Sequence, residues 1–311
     1  MALTLTEGNK YSTTELQGYV IDRLSKESEL LQHLQFEELL GNSLTYDTIV
    51  TRSGANFYSV GDTWVEDTPV MSQNTVTLKI LGGDADVDNF LLETRSNKLD
   101  LQGTVLDDKV VATSEKFRDG AWYGAVAGDA KSFDGMQALM TSTTYNTVHA
   151  GATDGSALSI VKLQQAIDLV TGFKPTHLFM SKGMRRSINV YLDSIGDKFT
   201  ASRDQYGNMI EHFRGLKVTT DDSILDTETA SSGAYSAKTG GDNTTIFIVT
   251  FHPQGMCGVQ GKNGVQTVPL GDLETKDAKR WRIKWYCGLK FENLRSCAKV
   301  DGITQASTVT A

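Results

Sequence analysis

The sequence predicts an α+β fold, and three observations predict it. An amphipathic stripe runs over residues 98–123, helical and strand patterns alternate from 158 to 218, and the C-terminal quarter is rich in β-formers with strict alternation over 280–291. A length of 311 residues suits one large or two moderate domains. The formal net charge of −8 argues against a surface devoted to neutralising phosphates, though a local basic patch is compatible with it. Abundant Gly, Thr, Ser and Asp fit many turns and long extended excursions.

From the start of the chain, residues 1–10 are polar, with neither a basic start leading into an apolar run nor a small-residue cleavage site, so synthesis in a cytoplasm is expected. No window reaches the roughly 18 apolar residues of a membrane span. Ser12 and Glu15 then stand at capping-box spacing before Leu16, Val20, Leu24, Leu31 and Leu34, which recur at three- and four-residue steps. This predicts a helix over 13–38, stopped by Gly41, that packs either on its own domain or on a neighbouring subunit. Over 45–74 the pattern becomes alternating β-formers broken by Gly54, Gly61 and Pro69, with Phe57, Tyr58 and Trp64 among polar residues. A two-stranded excursion of this kind is marginal alone, so it either covers its own domain or meets a partner.

Val76, Leu78, Ile80 and Leu81 lead into Ala85, Val87, Phe90 and Leu91, a predicted strand pair about Gly82 and Gly83. Leu99, Leu106, Val110, Thr113, Phe117 and Ala121 share one face of the long helix over 98–123, which at about 1.5 Å per residue would be roughly 39 Å long. A short apolar segment follows at 133–140. Next come a helix at 158–171 ended by Gly172, a buried strand at Leu178, Phe179 and Met180, and a helix capped by Ser181 that carries Met184, Ile188, Leu192 and Ile195. Leu216 and Val218 begin another strand, and 227–243 is a long Ser-, Thr- and Gly-rich loop. Over 280–291, Trp281, Ile283, Trp285, Cys287, Leu289 and Phe291 alternate with Arg280, Arg282, Lys284 and Lys290. One face is core; the other is a basic ribbon, either solvated or a contact for acidic groups on a neighbour or for nucleic acid.

Catalytic constellations fail one by one. His33, His149, His177, His212 and His252 show no metal-ligand spacing, and neither a nucleophile elbow nor a cysteine signature is present. Gly255, Gly258, Gly261, Lys262 and Gly264 miss the phosphate-loop spacing and have Asn263 where Ser or Thr is needed, so a β-turn region is expected. Asp84, Asp86 and Asp88 have calcium-loop alternation, but Asn89 and Arg95 occupy the Gly and Glu positions. Cys257, Cys287 and Cys297 are expected as buried free thiols. Without a signal peptide, the sequon at Asn243 has no route to glycosylation. No cofactor or metal is predicted.

Segments 87–91 (VDNFL), 133–139 (FDGMQAL), 175–181 (PTHLFMS), 213–222 (FRGLKVTTDD) and the close from 280 to 303 (RWRIKWYCGL through AKVDGI), in this order of elements, resemble the major capsid proteins of tailed double-stranded DNA bacteriophages. The resemblance implies the Hong Kong 97-like fold. It makes 1–44 an N-terminal arm, 45–78 an extended E-loop, 79–140 a peripheral domain with its spine helix at about 97–124, 141–285 mainly an axial domain, and 286–311 a strand returning to the peripheral domain. It also implies a non-enzymatic subunit that assembles as hexamers and pentamers of an icosahedral shell. That shell would touch packaged double-stranded DNA non-specifically, lie in the virion after assembly in the host cytoplasm, and work with possible scaffold, portal and decoration proteins and no membrane. Assembly contacts are expected at Arg52, Phe57, Tyr58, Trp64 and Glu66 of the loop and at Leu16, Val20 and Leu24 of the arm.

Two departures narrow the expectation. Some members lock their shells through an E-loop lysine, whereas 45–78 contains Arg52 and no lysine, so non-covalent contacts are predicted. The arm helix is expected within about a dozen residues of Met1, so a separate scaffold, or none, is expected. An encapsulin-type cellular compartment and, in another class, a hydrolase with a dispersed active site remain as alternatives. A virion tail or adhesion protein is a third, though it would lack the long spine helix.

Overall fold

The computed structural model describes residues 29–95, 101–141, 144–151, 155–196, 198–203, 209–229, 238–304 and 309–310. The chain enters with a short helix, α1 (Glu29–His33), and strand β1 (Phe36–Leu39), then a hairpin of β2 (Ser43–Thr51) and β3 (Val70–Thr77). Strand β4 (Lys79–Asp88) leads through α2 (Asn89–Arg95) into the long helix α3 (Leu101–Tyr123), and α4 (Met136–Leu139) and β5 (Thr147–His149) follow. Next come α5 (Ile160–Leu169), β6 (His177–Met180), α6 (Lys182–Ser194), β7 (Thr200–Arg203), β8 (Met209–Phe213) and β9 (Leu216–Thr220). Four strands complete the chain: β10 (Asn243–Val249), β11 (Met256–Asp272), β12 (Ala278–Phe291) and β13 (Ala298–Thr304).

Among the described residues these form a four-stranded sheet ordered β1-β11-β12-β4, a seven-stranded sheet ordered β5-β13-β10-β6-β9-β8-β7, and the separate β2-β3 pair. The seven-stranded sheet is covered on both faces, and strand alternation explains how. Phe247 and Val249 of β10 and Phe179 of β6 join a cluster with Phe117, Ala121 and Trp122 of α3 and with Trp285, Leu289 and Phe291 of β12. Their neighbours Ile246, Ile248, Leu178 and Met180 point the other way, against Leu163 of α5 and Met184, Ile188 and Leu192 of α6. A strand buried on both faces reads as an unbroken apolar run, as β10 does over its last four residues, Ile246 to Val249. Ser181 caps α6 as its position predicts, accepting from the Met184 amide at 3.0 Å.

Several expectations need correction. The helix expected over 13–38 is helical in its described part only to His33, and residues 36–39 are a strand instead, because Phe36 turns into the core against Trp285 while β1 pairs in parallel with β11. Residues 76–91 are not a pair turning at Gly82 and Gly83: β4 runs straight through both glycines, and Phe90 and Leu91 lie in α2. Gly82 is there because a Cβ would stand 2.0 Å from the Ile283 carbonyl oxygen on β12. The glycine-rich stretch is likewise strand, not turn, beyond Gly255. Gly258 lets the Phe36 ring lie on β11, and the β11-β12 ladder slips between Gln260 and Val265 and again between Pro269 and Gly271. Val110, expected on the buried face of α3, is 38% exposed; Leu99 lies outside the described residues, as does the side chain of Leu106.

Strand β12 runs across the boundary expected between 141–285 and 286–311. β11 pairs with β12, and β12 with β4 beside α3, whereas the late strand β13 pairs with β10 and β5 in the other sheet. The reason lies in the faces. Trp285 and Cys287 pack against the α3 side of the core, while Val300 and Ile303 complete the apolar layer under α5.

Where α3 ends, it meets a buried polar cluster. The Tyr123 hydroxyl donates to Glu228 at 2.5 Å, and the Thr245 hydroxyl donates to the other carboxylate oxygen at 2.5 Å. Burial pushes the Glu228 carboxyl up to about 7, more than its two hydrogen bonds pull it down. A carboxyl raised in the fold gives its full stability below its unfolded value of 4.5 and loses it as pH rises through about 7. Chemical denaturation of Glu228→Gln should therefore show less loss of stability between pH 5 and 8 than the parent protein. Glu228→Ala, which takes from two buried hydroxyls the carboxylate they donate to, should lose about 2–4 kcal/mol. A parallel pH profile for Glu228→Gln would contradict this assignment.

Candidate assembly surfaces

The β2-β3 hairpin is the part of the molecule least explained by its own fold. Its base is attached: the Tyr46 hydroxyl donates to the Phe291 carbonyl at 3.1 Å, Thr48 to the Glu292 carbonyl at 3.2 Å, and Tyr145 to the Val50 carbonyl at 3.4 Å. Beyond Thr51 the chain is exposed residue after residue as far as Gln73, save for the half-buried Tyr58. The tip nevertheless has internal order. Asp67 accepts from the Gly54 amide and Asp62 from the Ser59 amide, each at 2.6 Å, and the Tyr58 and Trp64 rings stack with centroids 4.3 Å apart.

That order presents apolar groups outward. Phe57 and Val60 are fully exposed, and Trp64 is 78% exposed with Val65 beside it. The predicted contact residues Arg52, Phe57, Tyr58, Trp64 and Glu66 thus share one projecting element, while Leu16, Val20 and Leu24 lie outside the described residues. Exposed apolar and aromatic side chains grouped in this way are a common feature of interaction surfaces.

The basic ribbon of β12 has a different role from those expected of it. Arg280 makes a two-pronged pair with Asp86 at 2.6 and 2.7 Å, and Arg282 another with Asp84 at 2.7 and 2.9 Å, both across the β4-β12 ladder. The guanidinium hydrogen bonds hold both carboxyls below the ordinary carboxylate range. Asp88 accepts from the Phe90 amide at the start of α2, so the alternating aspartates serve the sheet and a helix end. Lys290, further along, meets Glu37 at 2.8 Å and Glu292 at 3.1 Å.

The arm segment is seated on the body by mixed chemistry. Leu30 and Leu34 are buried in the core, and Glu29 binds Lys217 at 2.8 Å and the Thr219 hydroxyl at 3.0 Å on β9. The His33 ring lies on the His177 ring, centroids 4.5 Å apart, and Phe251 closes the cluster. Sequence reasoning missed this pair because the two histidines are far apart in the chain and neither has a motif.

A groove of about 890 Å³ runs between β4, the end of α3 and residues 124–134. Of the charged groups that line it, Lys238 binds Asp119 at 2.6 Å and Lys79 donates to the Ala130 carbonyl at 2.7 Å, while Asp129 and Asp134 accept from the Lys131 and Val126 amides. Burial pushes the Cys287 thiol in its wall up to about 12, so it carries almost no thiolate at neutral pH. Cys257 and Cys297 are also buried free thiols, as expected, and Asn243 of the sequon is 2% exposed within β10. Among the described residues no group of His, Cys, Asp and Glu suits a metal ion, and no helix is long and apolar enough to cross a membrane.

With the spine helix, the two sheets and the projecting hairpin placed, the architecture is the Hong Kong 97-like fold of capsid and shell proteins. No protein-family model and no curated protein sequence matches the chain, and solved structures carry this assignment. The chain is similar to the SrpI encapsulin of Synechococcus elongatus PCC 7942, solved as a holo complex, with a TM-score of 0.67 and 13% identity over 94% of this chain and 98% of that one. It is also similar to the capsid of a native GTA particle, with a TM-score of 0.65 and 11% identity over 88% of this chain and 89% of that one. A third similarity is to the capsid of cyanophage A-1(L), with a TM-score of 0.65 and 12% identity over 89% and 93%.

Proposed function

We propose that this chain is the repeating subunit of a closed shell, a major capsid protein that forms hexamers and pentamers around double-stranded DNA. The reading also places it in a virion assembled in the host cytoplasm, with no catalytic role. The observation that carries the reading is the exposed hairpin tip, whose aromatic face has no seat among the described residues of its own subunit. Many modest contacts of this kind add to a durable cage. The contacts are non-covalent, since 45–78 has no lysine and Lys79, just beyond it, is engaged with the Ala130 carbonyl.

An encapsulin-type compartment is the second reading, favoured by the extent of the SrpI similarity. Electron microscopy of the purified protein tests the shared part of both: closed particles or capsomers are expected, and a persistent monomer would overturn it. Terminase and portal genes beside this one would favour the virus, and a cargo-enzyme gene the compartment. Charge reversal at Arg52 or Glu66 should weaken assembly, more so at low ionic strength, because exposed charges on the hairpin are screened by salt. Light scattering across a salt series checks this, and a deficit that ignores salt counts against it.

A further inference from the structure

The paired histidines lie where the N-terminal arm joins the body, and their surroundings hold little that would welcome a second positive charge. His33 closes the last turn of α1, and His177 opens β6, with its Nδ1 2.9 Å from the Thr176 hydroxyl. Phe179 and Phe251 wall the pair, their ring centroids 5.9 and 5.0 Å from that of His177. The charged groups that face it are Glu29, on the arm's own helix, and Lys217, on β9. Glu29 is already bound to Lys217 and Thr219, so its carboxylate is engaged elsewhere. A proton added to either ring brings a cation against the other ring and near the Lys217 ammonium.

We propose that the His33–His177 pair is an acid-sensitive latch, holding segment 29–39 on the body at neutral pH and loosening it as the medium is acidified. The sign follows from the environment. Burial, and after it the neighbouring His33 and Lys217 charges, lowers His177 from 6.5 to about 4, and burial followed by Lys217 lowers His33. An opened segment returns both rings to water, where they take up protons near pH 6.5. Opening is therefore favoured progressively as pH falls from about 6.5 towards 4, and docking is unpenalised above that window. Glu29, held below its ordinary value by Lys217 and Thr219 against the opposing effect of burial, adds to the same trend when it protonates. Leu30 and Leu34 supply a pH-independent anchorage, so acid raises the frequency of opening and does not abolish the seat.

The latch belongs to the subunit itself and operates whether or not the chain assembles, so it stands or falls separately from the shell reading. The test is amide hydrogen exchange on the full chain from pH 7.5 to 4.5, corrected for intrinsic rates, comparing 29–39 with β10 as an internal reference. In the parent protein the protection of 29–39 should fall on the order of tenfold or more relative to β10, with the change lying between pH 6.5 and 4. In His33→Gln/His177→Gln that relative fall should largely disappear. Equal behaviour of 29–39 and β10 in the parent protein overturns the proposal without any variant. If the double variant does not fold, His33→Gln, at the end of α1, takes its place. A variant that keeps the parental response overturns it as well.

Discussion

A chain lacking residues 45–74 should remain folded yet form no stable shells. The deletion leaves both main sheets and their apolar clusters whole, because the hairpin joins the body through a few hydrogen bonds at its base. It removes Phe57, Val60, Trp64 and Val65, the outward apolar groups of the tip. Buried against neighbours, side chains of that size contribute about 1.5–3 kcal/mol each, repeated at every copy of the contact. Circular dichroism should report a folded subunit while electron microscopy finds no closed particles. Normal-sized, heat-stable particles from the deletion would refute the role assigned to the hairpin.

Trp122→Ala should be the most damaging single change to the subunit. The indole is completely buried, its ring centroid 4.7 Å from that of Phe247 and 5.1 Å from that of Phe179, and its N–H donates to Asp221 at 3.1 Å. Asp221 also holds Arg118, one turn earlier on α3, at 3.5 Å, so the contact ties the helix to the seven-stranded sheet twice. Removing a buried Trp costs about 3–5 kcal/mol from the cavity and lost contacts alone. Denaturant melts should show at least that loss, with Trp122→Phe retaining a large part of it. A loss below about 1 kcal/mol would mean that the helix and the sheet are held together elsewhere.

Patterns that depend on one element were legible in the sequence, and those that depend on two were not. The periodicity of α3 and the alternation of β12 each declare a buried face, and Ser181 stands where α6 begins. The aromatic tip was recognised because Phe57, Tyr58 and Trp64 sit among polar residues in a segment too thin to bury them. Gly82 and Gly258, by contrast, look like turn residues until the facing strand is known: one yields to the Ile283 carbonyl, the other to the Phe36 ring. Arg280 and Arg282 read as a free basic ribbon because their partners, Asp86 and Asp84, lie nearly two hundred positions earlier. The change from helix to strand after His33 is of the same kind, since local propensity could not foresee a partner at Gly258–Gly261.

The pairing of β1 with β11 carries a consequence for timing. Phe36 meets Gly258, and β5 finds its place only beside β13, at Lys299 to Asp301. A ribosome therefore releases almost the whole chain before either sheet can close, and contacts so distant in sequence form slowly. Until then the hairpin has no finished body to project from. If the tip is the assembly contact proposed above, a subunit would present it from a finished body only once the chain is complete, and the order of synthesis itself would guard against half-made chains entering a shell.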